Sequence, residues 1–205
     1  MRVPLKFGAE SVDRVTCLRV AATVENARGE TFTGWGETPL SVTWAWPSAE
    51  LSYQDRYDAM LASARRMADA LRNQRPSGHC MDIGLQLGDV VVADEVTSDR
   101  VPHLAALIIA SAFDIAIHDA HGLAAGCDVY QLYRRSNLPG DLSRFYGDEA
   151  DQWKDHHLED YLNFEPPVQL PVWHLVGGLD PIEQADVEPG SPEDGYPVTL
   201  RQWIE

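Results

Sequence analysis

Asp114, His118 and Asp119 are the residues whose types and spacing most suggest chemistry. Asp114 and His118 stand four apart, so on a helix they share a face. Two carboxylates and an imidazole could hold a metal ion. They could equally tie a buried helix to neighbouring backbone, since buried polar groups need hydrogen-bond partners. No His-Glu-x-x-His or comparable zinc spacing supports the metal reading, and the structural one is preferred. His156 and His157, beside Asp155 and Glu159, form a second group. Adjacent helical residues face different ways, so a solvated acidic surface is expected there. Trp44 and Trp46, with Pro47, put two large aromatics in a loop just past a strand. They could cover an apolar ligand pocket or pack the loop onto its own domain. His174 lies in an apolar run near the C-terminus. The end of a barrel strand would face an active site, whereas a core histidine bonded to backbone is the plainer reading. The chain has no Gly-x-Ser-x-Gly, no phosphate-binding P-loop and no Gly-x-Gly-x-x-Gly.

These side chains need elements to position them. Residues 15–24 alternate, with Leu18, Val20, Ala22 and Val24 on one face. Asn26-Ala27-Arg28-Gly29 is a turn signal and residues 30–37 return, which predicts a β-hairpin. Gly34 and Gly36 flank Trp35 and should let another backbone approach closely. From about Ala49, the residues Tyr57, Met60, Leu61, Ala64, Met67, Ala68 and Leu71 recur at helical spacing, and Pro76 stops the helix. Residues 83–92 fit either a short helix or an extended segment. Residues 101–125 form the strongest helix, apolar nearly all round, and should be central and buried. A short helical turn is expected at 129–133, and a loop with a surface helix at 141–161. Residues 168–176 suggest a buried strand closed by Gly177-Gly178. An acidic loop follows, and Thr199 is a plausible N-cap for a helix beginning at Leu200.

Composition narrows the partners. Sixteen basic against 32 acidic residues give a net charge of −16, which argues against nucleic acid and against an anionic membrane surface. Cys17, Cys80 and Cys127 are far apart and include no Cys-x-x-Cys, so neither a disulfide framework nor a zinc site is implied, and a reducing cytoplasm is expected. The longest apolar run, 104–113, is well short of the roughly 20 residues a membrane span needs. The N-terminus lacks the apolar stretch of a signal peptide.

Several segments together resemble a known family. Gly34-Trp35-Gly36-Glu37-Thr38-Pro39 closes the hairpin, and Trp44-Ala45-Trp46-Pro47-Ser48 precedes the amphipathic helix. Ala110-Ser111-Ala112-Phe113-Asp114-Ile115-Ala116-Ile117-His118-Asp119-Ala120 lies on the apolar helix, and Pro171-Val172-Trp173-His174 comes later. In this order they resemble the N-terminal part of the enolase superfamily, in its mandelate racemase and muconate lactonizing branch. The resemblance implies an α+β fold: a capping domain over residues 1–166, with a small antiparallel sheet and a helical bundle, then the opening of an incomplete (β/α) barrel over 167–205. Members of the family abstract a proton next to a carboxylate and stabilise the enediolate on Mg²⁺, acting as racemases, dehydratases or cycloisomerases. Their bases include a Lys-x-Lys pair on the second barrel strand, and their metal ligands lie on later strands. This chain holds only Lys6 and Lys154, in no such motif, and it ends at Glu205 before that strand would come. Its connector over 141–161 is also longer than the family's. The expectation is therefore a cap that is catalytically silent by itself, with no catalytic residue and no Mg²⁺ ligand of its own. By resemblance two cap segments would approach a small-molecule carboxylate substrate: an early loop around Lys6 to Glu10, including Phe7, and the loop with Trp44 and Trp46. His174 is the further candidate contact. A stand-alone binding module is the alternative, associating with itself as a homo-oligomer or with a separate barrel through an exposed apolar face.

Overall fold

The computed structural model describes residues 4–7, 10–165, 167–173, 177 and 180–205, with backbone only for 5–7, 10 and 11. It is mixed α+β, and it divides into two compact units, Cys17–Pro166 and the discontinuous pair Met1–Thr16 with Pro167–Glu205.

In the discontinuous unit, strands β1 (Leu5–Phe7) and β2 (Glu10–Val12) pair antiparallel, with Leu5 opposite Val12 and Phe7 opposite Glu10. The early loop expected around Lys6 is therefore a pair of short strands over its described residues. The larger unit opens with β3 (Cys17–Glu25) and β4 (Thr31–Pro39), paired from Cys17–Pro39 to Glu25–Thr31. Period-two alternation makes this hairpin: Leu18, Val20, Ala22 and Val24 turn inward while their neighbours are exposed. The Asn26 side chain closes the turn, its Oδ1 accepting from the backbone N–H groups of Arg28 and Glu30.

The 40–48 segment contains a single turn, α1 (Val42–Ala45), in which Val42 and Ala45 are buried. Helix α2 (Tyr53–Gln74) follows from its predicted stripe, burying Met60, Ala64 and Met67. It starts where Ser52 Oγ accepts from the Asp55 N–H and stops just before Pro76, which cannot continue a helical bond pattern. The ambiguous 83–92 segment is helical throughout: α3 (Cys80–Gln86), a π-helical turn over Leu87–Val92, and α4 (Ala93–Thr97). Ile83, Leu87 and Val91 recur every fourth residue and are buried, so packing overrides the weak helix propensity of Gly84, Gly88 and three valines.

Helix α5 (His103–Ala125) is the axis of this unit. Its small residues Ala105, Ala106, Ala112, Ala116 and Ala120 are fully buried, and Leu40, Met60, Met67, Val92 and Phe113 build the core beside it. By length and composition α5 is long enough and apolar enough to cross a membrane, but half of its most apolar stretch is buried inside the fold, as in the core helix of a globular unit. Burial is not all round as expected: Leu104, Leu107, Ile115 and Leu123 are exposed.

Two glycines set how closely the hairpin sits on α5. A Cβ on Gly34 would come 2.1 Å from Ala120 N, and one on Gly36 would come 2.1 Å from Ala112 O. Two residues of strand span about 6.7 Å and four residues of helix about 6 Å. The step from Gly34 to Gly36 therefore matches the step along Ala120, Ala116 and Ala112, and β4 runs along a groove of small residues. The Trp35 N–H donates to Asp119 Oδ2 at 2.8 Å, while the Trp35 ring points away from the helix and is 57% exposed.

Beyond α5 the unit continues in 3-10 turns, at Val129–Tyr133, Leu142–Phe145, Gly147–Trp153 and Leu158–Asp160. The expected surface helix within 141–161 thus breaks into short turns.

The buried strand expected over 168–176 is not formed among its described residues. No described strand pairs with 168–173, and Val172 and Trp173 are 92% and 93% exposed. An apolar run alone does not make a strand; its N–H and C=O groups need a neighbouring ladder. Helix α6 (Leu200–Ile204) starts as predicted, with Thr199 and Gln202 forming a reciprocal capping box.

Candidate functional site

The first turn of α3 carries an arrangement of donors that the sequence did not disclose. A helix begins with N–H groups that lack intrahelical partners. Here two imidazoles supply acceptors. His79 is the N-cap, and its Nδ1 accepts from the Met81 N–H at 3.2 Å. His121, projecting from α5, accepts the Cys80 N–H on its own Nδ1 at 3.2 Å. The other nitrogen of His79, Nε2, donates to the Leu132 carbonyl at 2.9 Å. This bond network assigns the proton of each ring to Nε2 and leaves both Nδ1 lone pairs facing the start of α3.

Cys80 contacts both rings, through its Sγ and its backbone N–H. It is 0% exposed, and its Sγ lies 3.7 Å from His79 Nδ1. The two rings meet edge to face at 4.9 Å between centroids, and Tyr133 borders both His79 and His118. Burial sets the protonation of the whole group. It pushes both His79 and His121 below the ordinary imidazole value, and His121 is pushed further by the neighbouring His79 and His118. Burial pushes the Cys80 thiol up to about 12 and the Tyr133 phenol also upward. At neutral pH the cluster is two uncharged imidazoles, a thiol and a phenol. Among the described residues, His79, Cys80 and His121 form the group of metal-ligating side chains that converges, with ligand atoms within 4.8 Å of one another.

The residues singled out from sequence are placed differently. Asp119 does the structural work anticipated for this helix, tying α5 to β4 through the Trp35 N–H. His118 Nδ1 donates to the Asp114 carbonyl at 2.9 Å and lies 3.5 Å from the Asp114 carboxylate. Asp114 Oδ1 also faces α3, where a Cβ on Gly84 would come within 2.6 Å of it. His156 and His157 do not converge on a common point. His156 Nδ1 bonds the Tyr161 hydroxyl at 2.6 Å, and Glu159 ion-pairs with Arg135. Trp46 is partly buried against the core, and its carbonyl accepts from Arg56. Trp44 is 57% exposed and stays available to a ligand. Lys6 and Phe7 are on β1, in the other unit, and His174 lies outside the described residues.

Sequence reasoning missed the His79–Cys80–His121 cluster because its third member stands 41 residues from Cys80 and joins it only where α3 packs on α5. The adjacent His-Cys pair just before an amphipathic run was the only local signal. Its donors are nitrogen and sulfur, a set that suits borderline or soft cations and not Mg²⁺, which takes oxygen ligands. No protein-family model, no curated protein and no solved structure matches the chain.

Proposed function

We propose that this chain is the substrate-capping portion of a Mg²⁺-dependent enolase-superfamily isomerase or lyase, one that abstracts a proton next to a carboxylate. One observation carries the reading. The two segments with the most specific resemblance, residues 34–39 and 110–120, lie far apart in sequence, yet they meet in space along the Gly34/Gly36 groove and the Asp119–Trp35 bond. A shared motif pair that also forms one packing unit is what a common cap would require.

Among the described residues the converging ligand group is nitrogen and sulfur, a set that does not suit Mg²⁺, and no carboxylate is assigned to the metal. In this reading the chain's own role is to close over substrate, with exposed Trp44 as the apolar contact, and the proton transfer belongs to the barrel of the parent enzyme. Of its two lysines, Lys154 is exposed and pairs with Asp151 at 2.5 Å, which does not suit a general base.

Two experiments test this. The coding DNA beyond the Glu205 codon should encode a strand with Lys-x-Lys; a stop codon, with no barrel encoded separately, would sink the reading. The chain by itself, given Mg²⁺ and a panel of α-hydroxy acids in D₂O, should exchange no α-proton by NMR.

A second reading, a binding or oligomerisation module, is favoured by the exposed apolar residues Leu104, Leu107, Ile115 and Leu123 of α5. Analytical ultracentrifugation separates the two readings, since a clean monomer at high concentration counts against self-association.

A further inference from the structure

We propose that His79, Cys80 and His121 form a binding site for a thiophilic divalent cation, with Zn²⁺ as its natural size and softness class. The site is independent of any Mg²⁺ chemistry of a parent enzyme. Three features of the structure carry it.

The spacing suits one shared ion. Zn–N bonds of about 2.0 Å and a Zn–S bond of about 2.3 Å at a tetrahedral angle put N and S roughly 3.6 Å apart. His79 Nδ1 and Cys80 Sγ are already 3.7 Å apart. All three ligand atoms lie within 4.8 Å of one another, so completing a tetrahedral face takes a closure of no more than about 1.5 Å.

The outer contacts of a metal site are already made. His79 donates its Nε2–H to the Leu132 carbonyl at 2.9 Å, which is how a ligating imidazole is oriented and its free lone pair aimed. Both Nδ1 lone pairs face the start of α3, where they accept N–H groups at 3.2 Å. A bound cation would take over those lone pairs.

The charge balances. Binding displaces the Cys80 thiol proton to solvent, so M²⁺ with one thiolate and two neutral imidazoles leaves a single positive charge. Asp114 lies close enough to Cys80 to act on its thiol electrostatically and offsets that charge, while Asp82, also near, is already ion-paired with Arg144. A fourth position is left for water or an exogenous ligand.

Cobalt titration tests the site. In a Cys17→Ser, Cys127→Ser background, which removes both exposed thiols, Co²⁺ should give a thiolate-to-metal charge-transfer band that saturates at one equivalent. Equimolar Zn²⁺ should bleach it. Cys80→Ser should abolish the band, and His121→Gln should weaken Zn²⁺ binding at least tenfold, since even the loss of an outer contact costs ten- to a hundredfold. The Gln carbonyl can still accept the Cys80 N–H, so this variant should fold, as far-UV circular dichroism would verify. If Cys80→Ser fails to fold, His121→Gln decides. No band in the parent background, or a band and affinity unchanged in His121→Gln, overturns the proposal. Neither outcome bears on whether the chain caps a carboxylate enzyme.

Discussion

The close approach of β4 to α5 gives a sharp test of how this unit holds together. In Gly36→Ala the new methyl would come 2.1 Å from Ala112 O and 2.6 Å from Ala116 N, both backbone atoms of α5 that no rotamer change can move. Ordinary contact begins near 3.4 Å, so the hairpin must lift from α5 by about 1.3 Å. A gap of that size forfeits half or more of each dispersion contact it opens, and those contacts include Leu18, Val20 and their inward-facing neighbours on α5. Overpacking of this kind costs about 3 kcal/mol, against which Ala returns roughly 0.5–1 kcal/mol over Gly in strand entropy. The net expectation is a loss of about 2–3 kcal/mol. Gly34→Ala should behave alike, and the double variant should cost less than the sum, because one lift of the hairpin relieves both clashes. Gly88→Ala is the control. It lies in the π-helical turn with nothing within 4 Å of the added methyl, so it should be neutral or up to about 1 kcal/mol stabilising. Urea unfolding followed by circular dichroism and tryptophan fluorescence measures all four. A Gly36→Ala midpoint within experimental error of the parent, or strict additivity of the two hairpin variants, would refute the backbone-contact account.

Other perturbations probe single interactions. Asp119→Ala removes the charged acceptor of the Trp35 N–H and should cost about 1.5 kcal/mol, whereas Asp119→Asn keeps an acceptor and should cost less. Glu95 is 2% exposed and accepts from Arg66 and Arg100; burial alone would raise its carboxyl, but these bonds outweigh burial and hold it below the ordinary value of 4.5. Its contribution is therefore complete above pH 4.5 and is lost as pH falls from there through the folded-state value, so the urea midpoint should drop in acid more steeply for the parent than for Glu95→Gln. Ser52→Ala removes the N-cap of α2 and should cost about 1 kcal/mol, read as a lower urea midpoint and faster amide exchange in the first turn.

Much of the local structure was legible in the sequence because periodicity is a local property. Alternation at Leu18 to Val24 followed by the Asn26-Ala27-Arg28-Gly29 turn is enough to specify a hairpin. The Met60–Ala64–Met67 stripe is enough to specify α2, and Thr199 with Gln202 to specify the start of α6. The pair of glycines around Trp35 already announced a close backbone approach, although not which backbone. Legibility failed where an element depends on its neighbours. Residues 168–173 have strand composition, but no described strand offers them hydrogen bonds. The 83–92 segment carries glycines and valines that disfavour a helix, and burial of Leu87 and Val91 decided for one.

The sequence by itself therefore determined the hairpin, the two long helices and the N-cap of α6, since each rests on residues within a few positions of one another. Only the tertiary structure decided what those elements do to each other. It brought Gly34 and Gly36 onto the Ala112–Ala116–Ala120 groove and gave the Asp119 carboxylate to the Trp35 N–H. By packing α3 on α5 it also set His121 against His79 and Cys80, across a separation that no local pattern encodes. The physical reason is the same in each case: propensity and capping act along the chain, whereas close packing and convergent donors exist only between segments.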